Sequence, residues 1–350
     1  MGLHMTPGRL RLGISRDFMS SVGERTFDAQ AWNALMAQPG LEVEFLEQPA
    51  TSPITREDVC RYDALLIKRN PVDGALLAAD APGELHLRLL ARNGVGFDHI
   101  DVEACTRAGV LVCTTPDAVA RPVASSVMAM MLAFSHELFT RDRLTRAGRW
   151  SDRWNRTGMA LTGRTLGVVG LGNIGLELLR LAAPWGMRHL GTTPRVDEAR
   201  YAGLRVEPVA LDVLLAQSDF VALCCPLNDK TRGLIDARAL GLMQKHAYLI
   251  NTARGEVVDE AALVEALAAG QIAGAGIDVY ETEPPRKTHP LFAMDNVIVG
   301  SHNLAYTDEM NSRSNRSVAN AACLLAEGRL PPHVINPAVL SHPRLADLRG

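Results

Sequence analysis

Apolar positions along this chain come in two patterns, short near-continuous runs and longer stretches with helical spacing. Residues 10–15, Leu-Arg-Leu-Gly-Ile-Ser, predict a first strand. Leu41 to Leu46 alternates apolar with acidic residues, as a strand with one wet face does. Asp63-Ala64-Leu65-Leu66-Ile67 predicts a buried strand, with Lys68-Arg69-Asn70-Pro71 as the loop behind it. The run Leu85 to Leu90 leads into Arg92-Asn93-Gly94-Val95-Gly96-Phe97-Asp98. Strand and helix alternate through this part, so it reads as a small α/β domain. Gly94 and Gly96 flank Val95 in a turn that is either a plain loop or a backbone offering N–H groups to an anion.

A long helix rich in Met and Ala is predicted from about Val123 to Leu138. It is too apolar for a solvated surface and belongs in a core or against another subunit. The polar stretch Arg141 to Gly158 follows, with Trp150 and Trp154 expected as packing residues. Beyond it the strand–helix rhythm resumes. Leu211 to Gln217 and Glu260 to Ala269 read as helices, the second closed by Gly270. Phe220 to Cys225, Ala247 to Asn251, Ala275 to Tyr280 and Val297 to Gly300 read as strands. Such continuous apolar runs predict parallel strands covered on both faces. The tail, Asn311 to Leu325, predicts an amphipathic helix ended by Gly328.

The stretch from Thr165 to Thr193 organises the second half. Leu166-Gly167-Val168-Val169 is strand-like and passes into Gly170-Leu171-Gly172-Asn173-Ile174-Gly175; a helical pattern and the run Met187 to Thr192 follow. That order is what a dinucleotide-binding βαβ unit needs. Gly170 allows the tight turn, Gly172 lets backbone approach a pyrophosphate, and Gly175 lets helix and strand pack closely. The helix start then faces phosphates with free N–H groups and the positive end of its dipole.

Composition narrows the class. At 350 residues the chain exceeds a usual single domain, so two are expected. Hydrophobic residues make up 47% and charged residues 21%, an ordinary globular balance. The net charge of −3 offers no footprint for nucleic acid. No apolar run reaches the roughly 18 residues of a membrane span, and Met1 to Leu10 shows no signal-peptide core. A cytoplasmic protein with neither nucleic acid nor membrane as partner is expected. Cys60, Cys105, Cys113, Cys224, Cys225 and Cys323 form no C-x-x-C pair, so buried reduced thiols are expected, without zinc, another metal or disulfides.

Ligands of an open parallel sheet bind beyond the carboxyl ends of its strands. Arg254 follows Asn251, Asp278 and Glu283 flank Val279, and His302 follows Val299. Together beside a dinucleotide they make a hydride-transfer set. Carbonyl reduction needs a proton donor that works near neutrality, which histidine supplies. A neighbouring carboxylate orients the imidazole and favours its charged form, and a guanidinium grips a substrate carboxylate in bidentate fashion.

These residues resemble the D-isomer-specific 2-hydroxyacid dehydrogenases. The resemblance runs from Asp63 to Pro337. It rests on Gly94-Val95-Gly96-Phe97-Asp98-His99-Ile100-Asp101, Thr115-Pro116, Gly170 to Gly175 and Cys225-Pro226-Leu227. It continues through Asn251-Thr252-Ala253-Arg254-Gly255, Gly276 to Pro284 and Ser301-His302. It implies an NAD(P)-dependent enzyme acting on a small 2-oxoacid or D-2-hydroxyacid, of the glyoxylate and hydroxypyruvate kind. It implies that Arg254 binds the substrate carboxylate and carbonyl, with N–H groups of Val95 and Gly96. Glu283 pairs with His302, the general acid/base, and Asp278 holds the nicotinamide carboxamide. The expected cofactor set is Gly170, Gly172, Asn173, Ile174, Gly175, Thr193, Arg195, Pro226, Thr231, Thr252, Ala253, Asp278 and His302. The implied architecture is a Rossmann-type doubly wound cofactor domain, 113–303, inserted into a flavodoxin-like α/β substrate domain, 1–112 and 304–350. Closure about two crossings would exclude water, and a homodimer built on the cofactor domain suits the apolar helix. Three positions depart from the pattern: Ser301 and Asn303 beside the histidine, and Ser125 after Val123-Ala124. A second reading keeps the fold as an NAD(H)-sensing, corepressor-like regulator.

Cofactor choice is readable at one position. NAD-selective folds carry Asp or Glu at the end of the second strand, about twenty residues past the glycine turn. Here Thr193 stands there, with Arg195 two residues on, an arrangement resembling NADP-using members of the family. NADP(H) is therefore expected over NAD(H).

Overall fold

The computed structural model describes residues 9–348 apart from 79, 80, 82, 195 and 196, and leaves the side chain at 198 undescribed. The chain divides into two compact units, Met1–Val119 with Thr307–Gly350, and Ala120–Tyr306.

In the first unit the short apolar runs become β1 (Leu10–Ile14), β2 (Leu41–Phe45), β3 (Ala64–Ile67), β4 (Leu89–Arg92) and β5 (Leu111–Cys113). All pair in parallel in the order β2-β1-β3-β4-β5, the flavodoxin-like order. Parallel neighbours need crossovers, which α1 (Ala29–Ala37), α2 (Arg56–Arg61) and α3 (Val102–Arg107) contribute. Each starts where a side chain accepts a first-turn N–H: Asp28 from Ala31, Thr55 from Asp58, Asp101 from Ala104. One face of the sheet packs Leu12, Leu66 and Leu89 against α1 and the C-terminal helix Asp308–Ala326. The other packs Leu65, Leu90 and Val112 against α2 and α3.

The returning tail is stitched to β5 by one buried amide. Asn336 Oδ1 accepts from Val112 N at 3.0 Å, and its Nδ2 donates to Val110 O at 2.9 Å and Thr106 Oγ1 at 3.1 Å. Ile335 N donates to Val112 O beside it.

The second unit begins within α4 (Pro116–Ser135) and continues through α5 (Leu138–Arg146). Its sheet comprises β6 (Thr165–Val169), β7 (Arg188–Thr192), β8 (Val206–Pro208), β9 (Phe220–Leu223), β10 (Tyr248–Asn251), β11 (Gly274–Ile277) and β12 (Val297–Val299). The order is β12-β11-β10-β9-β6-β7-β8, all parallel. The chain runs outward from β6 to β8 and restarts at β9 on the other side of β6. That reversal is the switch point at which doubly wound sheets bind nucleotides. Alternating with the strands are α6 (Asn173–Ala182), α7 (Leu211–Gln217), α8 (Ala237–Leu242) and α9 (Glu260–Ala268); the C-terminal helix is α10.

Three expectations change here. The apolar helix starts at Pro116, where proline suits a first turn, and stops at Ser135, because Glu137 turns the chain at φ 49°. By length and composition α4 could cross a membrane, contrary to the expectation that no apolar run is long enough. Its apolar residues are used otherwise: Val127 and Met131 are fully buried in a core with Leu166, Val168 and Leu178. Only Arg121, Ser125 and Ala129, one turn apart, are exposed between 120 and 135. Trp150 and Trp154 are not packing residues within the chain. They are 65% and 80% exposed, each with the Arg153 guanidinium 5.2 Å from its ring. The short 3₁₀ turn that carries them follows α5, a helix with no buried residue, so it has no core to reach.

Asn336→Ala leaves Val112 N–H and Val110 C=O without their buried partner. The expected loss in unfolding free energy is about 2–4 kcal/mol, read from the urea midpoint of the first unit; a change below about 0.5 kcal/mol would show that the tail is held by apolar packing alone.

Candidate active site

The glycine turn is built as the spacing requires. Gly170 ends β6 at φ 102°, and a Cβ there would lie 2.7 Å from Cys225 N. A Cβ on Gly175 would lie 2.1 Å from Gly170 O, so the first turn of α6 sits directly on the strand exit. Gly172, the N-cap, is different: nothing lies within 4 Å of where its Cβ would be. No side chain caps α6, and among the described residues nothing accepts from the N–H groups of Asn173, Ile174 or Gly175. Three free donors at a positive helix end, under open space, fit a pyrophosphate.

Around this turn the other strand exits contribute. Thr193 follows β7, half-buried and uncharged; Arg195 lies outside the described residues. Beyond β9, Thr231 Oγ1 donates to Pro226 O at 2.6 Å and accepts from Asn228 N at 2.9 Å, which closes the loop. After β10, Asn251 clamps the next turn from both ends: its Oδ1 accepts from Ala253 N and its Nδ2 donates to Arg254 O at 2.8 Å. Thr252 Oγ1 is buried with no hydrogen-bond partner among the described residues, an orphan such as a bound ligand would satisfy. Gly255 passes so close to Tyr280 that a Cβ would lie 1.9 Å from its carbonyl carbon.

Asp278 is the buried acid of the site, 4% exposed. Burial raises its carboxyl above the ordinary carboxylate range, opposed by N–H donation from Leu304 and Asn303. Those donors reach Oδ2 and Oδ1 at 3.2 Å each, and the Asp278 carbonyl accepts from His302 N at 2.7 Å. Gly300 is needed beside it, because a Cβ there would meet Asp278 Oδ1 at 2.2 Å. Tyr280 OH donates to Gly300 O at 2.8 Å, fixing the exit of β12.

That exit delivers His302 at φ 56°, the left-handed region, which costs a non-glycine residue about 1 kcal/mol or more. Its Nδ1 faces both oxygens of Glu283, at 2.8 and 2.9 Å. Glu283 is itself anchored, Oε1 accepting from Tyr280 N at 3.2 Å. A carboxylate there assigns the ring proton to Nδ1 and leaves Nε2 for a reacting group. The departures from the family pattern touch each other: Ser301 Oγ donates to Asn303 Oδ1 at 3.0 Å.

Of the expected residues in this unit, Asp278, Glu283 and His302 are brought together, and Arg254 follows the neighbouring strand in register, Asn251 opposite Ile277 and Ile277 opposite Val299. Val95 and Gly96 belong to the first unit. There Gly94 takes φ 129°, its N–H donating to Thr115 Oγ1 at 2.8 Å. Among the described residues nothing accepts from Val95 N or Gly96 N, so the turn has two donors left for an anion. Sequence reasoning missed Asn251, Tyr280 and Gly300, supports whose only signal is their position beside Arg254, Glu283 and His302. A separate cavity of about 480 Å³, lined by Arg143, Arg149, Asp152 and Asp295, does not belong to these strand exits: Asp295 precedes β12, at the N-terminal end of the strand whose exit carries His302.

Comparison with known proteins follows this geometry. The family model described as "D-isomer specific 2-hydroxyacid dehydrogenase, NAD binding domain" matches residues 128–303. A glyoxylate reductase of Korarchaeum cryptofilum is 37% identical over 298 residues, 84% of this chain and 89% of that one. A D-3-phosphoglycerate dehydrogenase of Methanocaldococcus jannaschii is 38% identical over 264 residues, 75% of this chain and 50% of that one. Among solved structures, an NADPH-dependent glyoxylate/hydroxypyruvate reductase of Sinorhizobium meliloti, in complex with NADP and malonate, has a TM-score of 0.77 at 26% identity. It covers 94% of this chain and 98% of its own.

Gly172→Val separates fold from ligand. The free protein has room for the side chain, so its melting temperature should stay within about 2 °C, while dinucleotide affinity should drop at least tenfold in a fluorescence titration. Unchanged affinity would place the pyrophosphate elsewhere.

Proposed function

The chain belongs to the D-isomer-specific 2-hydroxyacid dehydrogenases, and from that premise we propose a reductase of small 2-oxoacids, of the glyoxylate and hydroxypyruvate kind, that prefers NADP(H) to NAD(H). The class is an NAD(P)-dependent oxidoreductase acting on the CH–OH group of a 2-hydroxyacid. The observation that carries the reading is the contact of 2.8 Å between Glu283 and His302 at the exit of a parallel sheet.

In this reading His302 Nε2 gives its proton to the substrate carbonyl oxygen during reduction and recovers it from solvent. Glu283 holds the ring through Nδ1 and stabilises its positive charge. Arg254 binds the substrate carboxylate as a planar fork and polarises the adjacent carbonyl. N–H groups of Val95 and Gly96 are assigned to the same carboxylate. The nicotinamide supplies the hydride when bound. Asp278 takes the carboxamide with the lone pairs that Asn303 and Leu304 leave free. Asn173, Ile174 and Gly175 donate to the pyrophosphate, and Thr252, Ala253, Pro226 and Thr231 line the rest of the cofactor site.

A homodimer is part of the proposal. The support is four large apolar side chains exposed on one segment: Leu138, Phe139, Trp150 and Trp154. A cytoplasmic location goes with six free thiols.

His302→Ala should lower the turnover number by roughly 10²–10⁴ with little change in cofactor affinity; near-normal turnover would move the acid elsewhere. Glu283→Ala should lower the turnover number with little change in cofactor affinity, because the carboxylate that holds the ring through Nδ1 is then missing. Turnover near that of the wild type would count against the pairing.

For the substrate, initial rates with glyoxylate, hydroxypyruvate, pyruvate and phenylpyruvate should be highest for the first two. For the cofactor, Thr193 carries no charge to repel a 2′-phosphate. The ratio of kcat/KM with NADPH to that with NADH should exceed one and fall in Arg195→Ala. A wild-type preference for NADH, or a ratio indifferent to the substitution, would defeat the preference.

A further inference from the structure

Glu283 is carried by a long connection with little support of its own. Between β11, which ends at Ile277, and the 3₁₀ turn Pro290–Ala293 the chain forms no helix or strand. Glu281, Thr282, Pro284, Arg286, Lys287 and Thr288 are all exposed. Among the described residues, the backbone of 281–289 makes a single hydrogen bond within itself, His289 N donating to Arg286 O at 3.0 Å. A segment built this way opens easily unless other elements hold it.

One carboxylate holds both of its ends. Glu260 is the first residue of α9, where the helix dipole favours a negative charge. Its Oε2 accepts from Glu281 N at 3.3 Å, and its Oε1 faces His289 Nε2 at 2.8 Å. The imidazole is fixed from its other side. Its Nδ1 accepts from Leu291 N at 3.3 Å and caps the 3₁₀ turn, so the proton of the neutral ring is on Nε2 and points at Glu260. The ring lies between those of Tyr280 and Phe292, with centroids 5.5 and 5.3 Å away. With its side chain 10% exposed, His289 is no ordinary surface partner for a carboxylate.

Both grips end beside the chemistry. Glu281 stands two residues before Glu283. Tyr280, against which His289 packs, donates its N–H to Glu283 Oε1 at 3.2 Å and its hydroxyl to Gly300 O at 2.8 Å.

The geometry points to Glu260 and His289 as positioning residues: the Glu260 carboxylate closes the loop 281–289 at both ends and so fixes the direction from which Glu283 meets His302. The inference rests on the Glu283–His302 pairing of the proposed reaction and adds what holds that pairing in place.

Two substitutions separate this clasp from the cap. In His289→Gln the amide reaches as far as Nε2 and donates to Glu260, leaving Leu291 N uncapped. In His289→Asn an acceptor stands where Nδ1 was, and Glu260 is out of reach. Turnover of glyoxylate, cofactor affinity and melting temperature are measured for both, and for Glu260→Ala with and without Glu283→Ala. The glutamine variant should keep turnover close to that of the wild type. His289→Asn and Glu260→Ala should lower the turnover number about tenfold or more at unchanged cofactor affinity, the scale on which a small misplacement of a catalytic group is felt. Added to Glu283→Ala, Glu260→Ala should cause no further loss, because no carboxylate remains to be aimed. Wild-type turnover in His289→Asn would overturn the proposal by reducing the histidine to a cap. Losses of Glu260→Ala and Glu283→Ala that multiply would overturn it by giving Glu260 a role apart from Glu283. The two readings fail separately. Near-normal turnover in Glu283→Ala removes the pairing itself, whereas a slow Glu283→Ala beside a normal Glu260→Ala removes only the clasp.

Discussion

A single buried carboxylate, Asp278, holds the chemistry of this protein in place. Its carbonyl accepts from His302 N, and its two oxygens accept from Asn303 and Leu304. Three consecutive N–H groups are thereby drawn onto one residue at the end of β11. That is why His302 stays at φ 56°, a conformation a histidine does not take for nothing. Gly300 follows from the same constraint, since any side chain there would collide with the carboxylate. The cost is a carboxylate removed from water, which the two donations to its oxygens, from Asn303 and Leu304, offset. With the histidine backbone fixed this way, the only remaining freedom is ring rotation, and Glu283 removes it from the far side.

The fold was largely legible because parallel strands covered on both faces must be near-continuously apolar. β3, β9 and β10 begin and end within a residue or two of their apolar runs. The reading failed at β5, Leu111–Cys113, a buried strand of only three residues, and where burial is partial. β8, Val206–Pro208, is a half-exposed edge of three residues with no apolar pattern to betray it. β4 starts only at Leu89, although the apolar run begins at Leu85. Arg88 N donates to Asp63 O before the ladder opens, so the first part of that run is approach.

The site was legible in a different way. Gly170 and Gly175 have positions dictated by sterics within the chain, and their spacing anticipates the close contacts found, whereas Gly172 borders open space. Glu283 and His302 are nineteen residues apart, and no periodicity links them; their pairing came from the family resemblance, and the structure supplies the distance. Asn251, Tyr280 and Asn336 act through amide and hydroxyl geometry that depends on where other strands end.

The central claim is that Glu283 acts on the reaction only through the imidazole of His302. A double-mutant cycle tests it: turnover numbers for 2-oxoacid reduction by NADPH in wild type, His302→Gln, Glu283→Gln and the double variant. If Glu283 works through the ring, the double variant should be no slower than His302→Gln alone, because without the ring the carboxylate has nothing left to orient. If the two losses multiply, Glu283 has a role of its own, and the assignment of the pair as one proton-donating unit is contradicted.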